Sequence, residues 1–288
     1  MHWILDALGT AFFTRALMGG ALVAIICGVV GTWVVIRGMA FLGEALGHGM
    51  LPGVAIATLT GVSPMLGGAV TAALMSALIG ALQRRGKLSY DTSIGLLFVA
   101  MLALGVVIVS HSGSFATDAT ALLFGDVLAI SATDLLFLGS ATALTVGVAA
   151  AGHRAFVALA FDPRIAQALG HRIRLAGAAL TGLVTLAVVA SAQAVGTLLV
   201  VALLLGPAVA ASPWSRQIPH RMAFAGAAGI AAVALGLTVS WHAATAAGAT
   251  IAISAIALAG ASHLAHFVAT RRRTPRPHLT VTPLESHA

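Results

Sequence analysis

The chain has 288 residues, of which 59% are hydrophobic and only 8% charged, with a mean hydropathy of +1.03 and a formal net charge of +7. A soluble domain carries roughly 25% charged residues, so the composition excludes a soluble enzyme and specifies a polytopic membrane protein. The basic excess lacks the interleaved aromatics of a nucleic-acid face, and a single cysteine, Cys27, excludes a disulfide framework or a cysteine metal site.

Apolar segments of about 20 residues, long enough to cross about 30 Å of hydrocarbon, are predicted in chain order. They are Phe12–Ile36, Ala40–Leu59, Leu66–Leu82, Ser93–Val109, Leu135–Ala151, Ile173–Ala190, Gly196–Ala211, Ala223–Val239 and Ala243–Val268. The predicted fold class is an all-α polytopic membrane protein with about nine transmembrane helices. Glycine, proline or close turns interrupt the second, sixth and seventh segments, which leaves eight as the other count. The first is too long for a cleaved signal and ends in no A-x-A site. Abundant glycine and alanine suit close helix packing in lipid. A transmembrane domain over 1–269 and a cytoplasmic, disordered tail over 270–288, basic and proline-rich, complete the predicted organisation.

If nine spans alternate, fourteen of the fifteen lysines and arginines fall on one side and only Arg15 on the other. The positive-inside rule then puts the N-terminus outside and the C-terminus in the cytoplasm.

The second segment holds Glu44 and His48, an i, i+4 pair on one helix face. Ionisable groups in hydrocarbon are costly and default to function. A carboxylate and an imidazole together suit a divalent transition metal; a plain structural hydrogen bond is the bland reading. Counting from Ala40, His48 lies roughly 12 Å into the membrane.

Asp91, ahead of Thr92 and Ser93, reads as a helix cap, as does Asp134, and Asp126 suits a turn or a cap. Asp118 in the outer loop is placed to meet an arriving cation, and His111 stands in the same loop. His242 follows Trp241 at an outer boundary, where an aromatic belt is expected; with His111 and Asp91 it is a lesser candidate metal ligand behind Glu44, His48 and Asp118. His263 and His266 fall at the headgroups beside Arg271. His153, His171 and His220 read as surface residues of cytoplasmic loops.

The connection from Gly152 to Arg172 contains Phe161–Gly170, punctuated as a short helix. Asp162 suits the N-cap, Pro163 the first turn and Gly170 the C-terminal turn. Ile165, Ala168 and Leu169 make one apolar face. It reads either as an interfacial helix or as a helix that docks into a partner.

Five stretches together resemble the metal-type permeases of bacterial ABC importers, the family that takes up zinc, manganese or iron. They are RGMAFLGEALGHGMLPGVAIA from Arg37, LSYDTSIGLLF from Leu88, LLFGDVLAIS from Leu122, FDPRIAQALG from Phe161 and AVGTLLVVALLLGPAVAA from Ala194. Glu44, His48, Pro52 and Gly53 match the family's R-x-A-L-x-G-D/E-A-L-S-H-x-x-L-P-G, while Gly47 replaces its serine. Ala243–Gly248 lacks the acid and proline that the family often carries there.

The resemblance implies a homodimeric permease, a separate cytoplasmic ATPase and an extracytoplasmic metal-binding protein. It also implies a coupling helix formed by Phe161, Asp162, Pro163, Ala166 and Gly170. No Walker motif is present, so the chain is expected to be a transport subunit of the cell membrane and not an enzyme. It holds no permanent cofactor, and its cargo is a divalent metal. The histidines near candidate path positions lean the expectation to zinc, with manganese or iron open. The competing readings are a cobalamin- or siderophore-type permease and an ATP-independent secondary metal transporter. An intramembrane metalloprotease would need H-E-x-x-H, where this chain has E-A-L-G-H.

Overall fold

The computed structural model describes residues 11–84, 88–110, 125–161 and 173–273. Among these residues it is built of ten α-helices and one turn of 3₁₀ helix, with no strand. This is the expected outcome for a chain with little but apolar side chains, because in hydrocarbon each backbone amide needs a partner within its own segment.

The helices are α1 (Ala11–Ile36), α2 (Ala40–Gly49), α3 (Leu51–Thr60), α4 (Pro64–Arg84), α5 (Tyr90–Ser110), α6 (Ala132–Phe161), α7 (Ile173–Val195), α8 (Thr197–Ala211), α9 (Ile218–Ala243) and α10 (Ala247–Arg273). Eight stretches are long and apolar enough to span a membrane, with α2 and α3 counted as one. The expected seventh span is α8, only 15 residues long. At about 22 Å it falls short of the hydrocarbon thickness.

Among the eight long spans α1 is the most enclosed, and it packs against α6, α7, α8 and α9, while α4, α5, α6 and α10 keep wide apolar faces outward. Glycine sets the closest approaches: Gly31 lies against the Leu204 carbonyl of α8, and Gly53 of α3 and Gly67 of α4 lie backbone to backbone. Trp33 is fully buried, with Phe156 edge-on at 5.7 Å and the His153 ring at 5.9 Å.

Two sequence expectations change. The fifth span continues ten residues past Ala151, to Phe161, so His153 and Arg154 belong to α6 and not to a loop. A hydropathy reading stops where lipid stops, whereas the helix carries on beyond it. His220 likewise lies in the first turn of α9, which starts at Ile218. The predicted coupling helix falls outside the described residues apart from Phe161, which ends α6 and is exposed.

Candidate metal site

The second span is broken at Met50, between α2 and α3. Pro52 sits in the first turn of α3 and has no amide hydrogen. The residue it would serve, four positions earlier, is His48. The Met50 amide donates to the Leu46 carbonyl at 3.2 Å and only grazes the His48 carbonyl two residues back.

Glu44 and His48 both project from α2, with His48 Nε2 and Glu44 Oε1 2.9 Å apart. Their side chains stay 31% and 21% exposed, so neither is sealed off. The Phe98 ring of α5 stands edge-on to the imidazole at 5.5 Å and fixes its plane. Glu44 opens into a cavity of ≈ 490 Å³ walled by α8 and α10, from Leu198 to Gly206 and from Gly248 to Ile256.

A second interruption lies beside the first. α7 ends at Val195, Gly196 takes φ +80, and α8 starts at Thr197. Gly47 faces the Thr197 side chain, and a Cβ there would meet it at 3.3 Å. The Thr197 hydroxyl is buried without a hydrogen-bond partner. Two interrupted apolar segments meeting inside the membrane form the arrangement by which transporters expose backbone groups to an ion.

The 3₁₀ turn Val127–Ala129 closes this region on the side opposite the arginine-rich helix ends. Asp126 caps the turn by accepting the Leu128 amide at 3.1 Å. Gly125, at φ +58, lies directly on the Gly196 backbone with no room for a side chain. Asp126 lines a cavity of ≈ 250 Å³ whose wall includes Gly248 and Ala249. Those two residues also wall the Glu44 cavity, so the openings adjoin along the start of α10. The cap is one of the two roles that the sequence offers Asp126; its place beside the Glu44 cavity comes from the fold.

The other sequence candidates scatter. Asp91 is not the cap of its helix: α5 starts one residue earlier, at Tyr90, and Ser89 Oγ accepts the Thr92 amide at 3.1 Å. Asp91 stands in the first turn, favourable to a carboxylate, at the arginine-rich end. Asp134 is the third residue of α6, paired with the true cap, Ser131. Its Oδ2 accepts the Ser131 amide at 2.9 Å while Ser131 Oγ accepts the Asp134 amide at 3.2 Å, a reciprocal capping box.

His242 lies in the last turn of α9, its Nδ1 2.7 Å from the Thr238 carbonyl. His263 and His266 contact the end of α8 and Trp214, near Arg271. His111 and Asp118 lie outside the described residues. No group of three or more His, Cys, Asp or Glu forms a metal cluster among the described residues. One chain therefore offers a carboxylate, an imidazole and an under-bonded carbonyl, enough to hold an ion in passing but short of a closed structural site.

Comparison with known proteins bears on the family and the fold. The profile of the ABC 3 transport family matches residues 10–265. The manganese transport system membrane protein MntC of Halalkalibacterium halodurans is 34% identical over 233 residues, 81% of this chain and 80% of that protein. A probable iron transport system membrane protein of Haemophilus influenzae is 29% identical over 240 residues, 83% of this chain and 88% of that one. The solved structure of PsaBC from Streptococcus pneumoniae in complex with Fab superposes with a TM-score of 0.80 at 29% identity, covering 91% of this chain and 94% of that chain.

Proposed function

The chain belongs to the ABC 3 transport family, the metal-type permeases of ABC importers, and on that premise we propose that it carries a divalent transition metal inward past Glu44 and His48. The observation that carries this reading is the preformed acid–imidazole pair, at 2.9 Å, beside two interrupted helices. The bond occupies Nε2 and one carboxylate oxygen. A cation bound there replaces that hydrogen bond as the link between the two side chains.

Manganese is the proposed cargo, with iron the runner-up. Named relatives are manganese and iron systems, and no relative reported above supports the zinc lean. The chemistry agrees: carboxylate, carbonyl and water suit Mn²⁺, while one imidazole tolerates Fe²⁺ as well. A pair of ligands per subunit is completed, in this proposal, by water and by the same pair from a second copy across a two-fold axis. Asp118 belongs to the outer approach.

The remaining assignments follow from the family. Residues 161–170 couple to a separate ATPase that hydrolyses ATP, and an extracytoplasmic binding protein delivers the ion. The arginine-rich side faces the cytoplasm. The permease domain spans 1–269, and 270–288 is a tail.

The test is uptake of radiolabelled manganese in cells expressing the chain with its ATPase and binding protein. Glu44→Ala and His48→Ala should each lower uptake by about 100-fold, at the upper end of the loss produced by disturbing metal ligation, with membrane levels unchanged. Wild-type uptake in both variants would sink the proposal. Competition by zinc, iron and manganese salts ranks the metals.

A further inference from the structure

Five helix ends converge on the arginine-rich side: the C-terminal ends of α1, α4 and α6 and the N-terminal ends of α5 and α7. Two side chains tie them together. Arg37, just past α1, donates from Nη1 to the Leu159 carbonyl of α6 at 3.1 Å. The Tyr90 hydroxyl of α5 donates to Met39 Sδ at 3.2 Å.

From this junction an open groove of ≈ 830 Å³ runs between α4 and α7. Its walls are small: Ala69, Ala73 and Ala77 from α4, and Gly177, Thr181 and Thr185 from α7. From Gln83 to Ala69 the groove follows α4 for about 21 Å. One leaflet contributes about 15 Å of hydrocarbon, so the groove is long enough for a tail that starts at the headgroup level.

Its mouth is cationic. Arg37 and Arg174 both line it, Arg37 half-buried and Arg174 exposed. Arg37 spends one of its five N–H groups on a neutral carbonyl. Burial lowers its pKa from the ordinary value, yet a guanidinium remains charged. A half-buried cation of this kind calls for an anion.

The charge also decides between occupants. Two arginines repel a divalent cation, and the groove shares no lining residue with the Glu44 cavity, so it is no branch of the ion route. A second copy of the chain has little to offer: of its eight acidic residues, only Asp91, Asp162 and Glu285 belong to this side by topology. Among the described residues neither arginine has a carboxylate partner; a lipid phosphate supplies that charge and its tails supply the apolar filling. Basic pockets between membrane helices on the cytoplasmic side bind anionic headgroups by the same logic.

We propose that the groove between α4 and α7 binds an anionic glycerophospholipid, its phosphate held by Arg37 and Arg174 and a tail laid along the small residues of both helices. The assignment to the cytoplasmic leaflet rests on the orientation proposed above; the site itself does not.

The test uses the full chain, purified in detergent, stripped of lipid and incubated with dioleoyl phosphatidylglycerol or dioleoyl phosphatidylcholine. Bound lipid is counted by native mass spectrometry. Phosphatidylglycerol should be retained at one per chain and in preference to phosphatidylcholine. Arg174→Ala should reduce its retention about fivefold, and Arg174→Lys should restore most of it. Ala77→Phe, which fills the groove, should weaken both lipids.

Equal retention of the two lipids, or undiminished phosphatidylglycerol binding in both Arg174→Ala and Ala77→Phe, overturns the proposal. So does a protomer-to-protomer disulfide at Ala73→Cys, which would put a second copy in the groove. None of these measurements involves metal transport, so this site and the import reading fail separately.

Discussion

The Glu44 cavity and the groove between α4 and α7 have walls of the same material, glycine, alanine and larger aliphatics, yet differ in charge and in backbone. The Glu44 cavity is anionic and adjoins the α2–α3 and α7–α8 breaks, where carbonyls and a hydroxyl lose their helical partners. The groove is cationic and runs along two continuous helices. Broken helices cost stability in lipid and are tolerated where they line a cavity. Here they coincide with the acid–imidazole pair and not with the groove, which needs only shape and charge. Opposite charge on separate openings also keeps a cation off the lipid-facing surface.

The comparison is sharpest at the carboxylate. Glu44→Gln keeps the shape and the hydrogen bond to His48 but removes the charge. If the cavity works through charge, manganese uptake should fall by about 100-fold, while phosphatidylglycerol retention stays at the wild-type level. Uptake unchanged in this variant would reduce the pair to a structural hydrogen bond.

Glycines of the two regions should behave in opposite ways. A Cβ on Gly53, beside the helix break, would run into the Gly67 backbone. Gly53→Ala should therefore cost about 2 kcal/mol, the usual scale of overpacking. Gly182 lines the groove with open space where its Cβ would stand. Gly182→Ala should gain about 0.5–1 kcal/mol from helix propensity alone. Thermal unfolding in detergent measures both; a shift of the same sign in the two variants would remove the distinction between a packed and an unpacked wall.

Pro52→Ala tests the break itself. The new amide can reach the His48 carbonyl, continue the helix and raise thermal stability. It also ties up the His48 carbonyl; if that oxygen serves the ion, manganese uptake should drop about tenfold. Stability rising while transport falls is the pattern of a strained functional segment. Uptake at the wild-type rate would show that the carbonyl takes no part.

Much of this was legible in the sequence because lipid imposes simple rules. Nearly all span boundaries fall within a few residues of the helices, and the Glu44–His48 pair stands out as charge in an apolar run. Pro52 and Gly196 likewise marked where segments would break. Other features were not legible for physical reasons. Ser89 and Ser131 displace Asp91 and Asp134 as caps, because side-chain geometry decides which neighbour reaches the free amides. The extension of α6 to Phe161 is invisible to hydropathy, since His153 and Arg154 look like a loop once the lipid ends. Arg37 meets α6, and Asp126 meets Gly248, only through tertiary packing.

The smallest effect on transport is expected at Thr197, where the two interruptions touch. Its hydroxyl is buried and unpartnered, and burying an unmade hydrogen bond costs about 1–3 kcal/mol. Gly47, whose Cβ would meet the Thr197 side chain at 3.3 Å, brings no hydroxyl toward it. Thr197→Val keeps the branched shape and deletes the orphan oxygen. It should gain about 1 kcal/mol in thermal unfolding and leave manganese uptake within about twofold, because the side chain faces Gly47 and not the Glu44 carboxylate. Lower stability would mean the hydroxyl has a partner in the assembled transporter. Lower uptake with unchanged stability would move Thr197 from the scaffold of the cavity into the ion path, and the α7–α8 break with it.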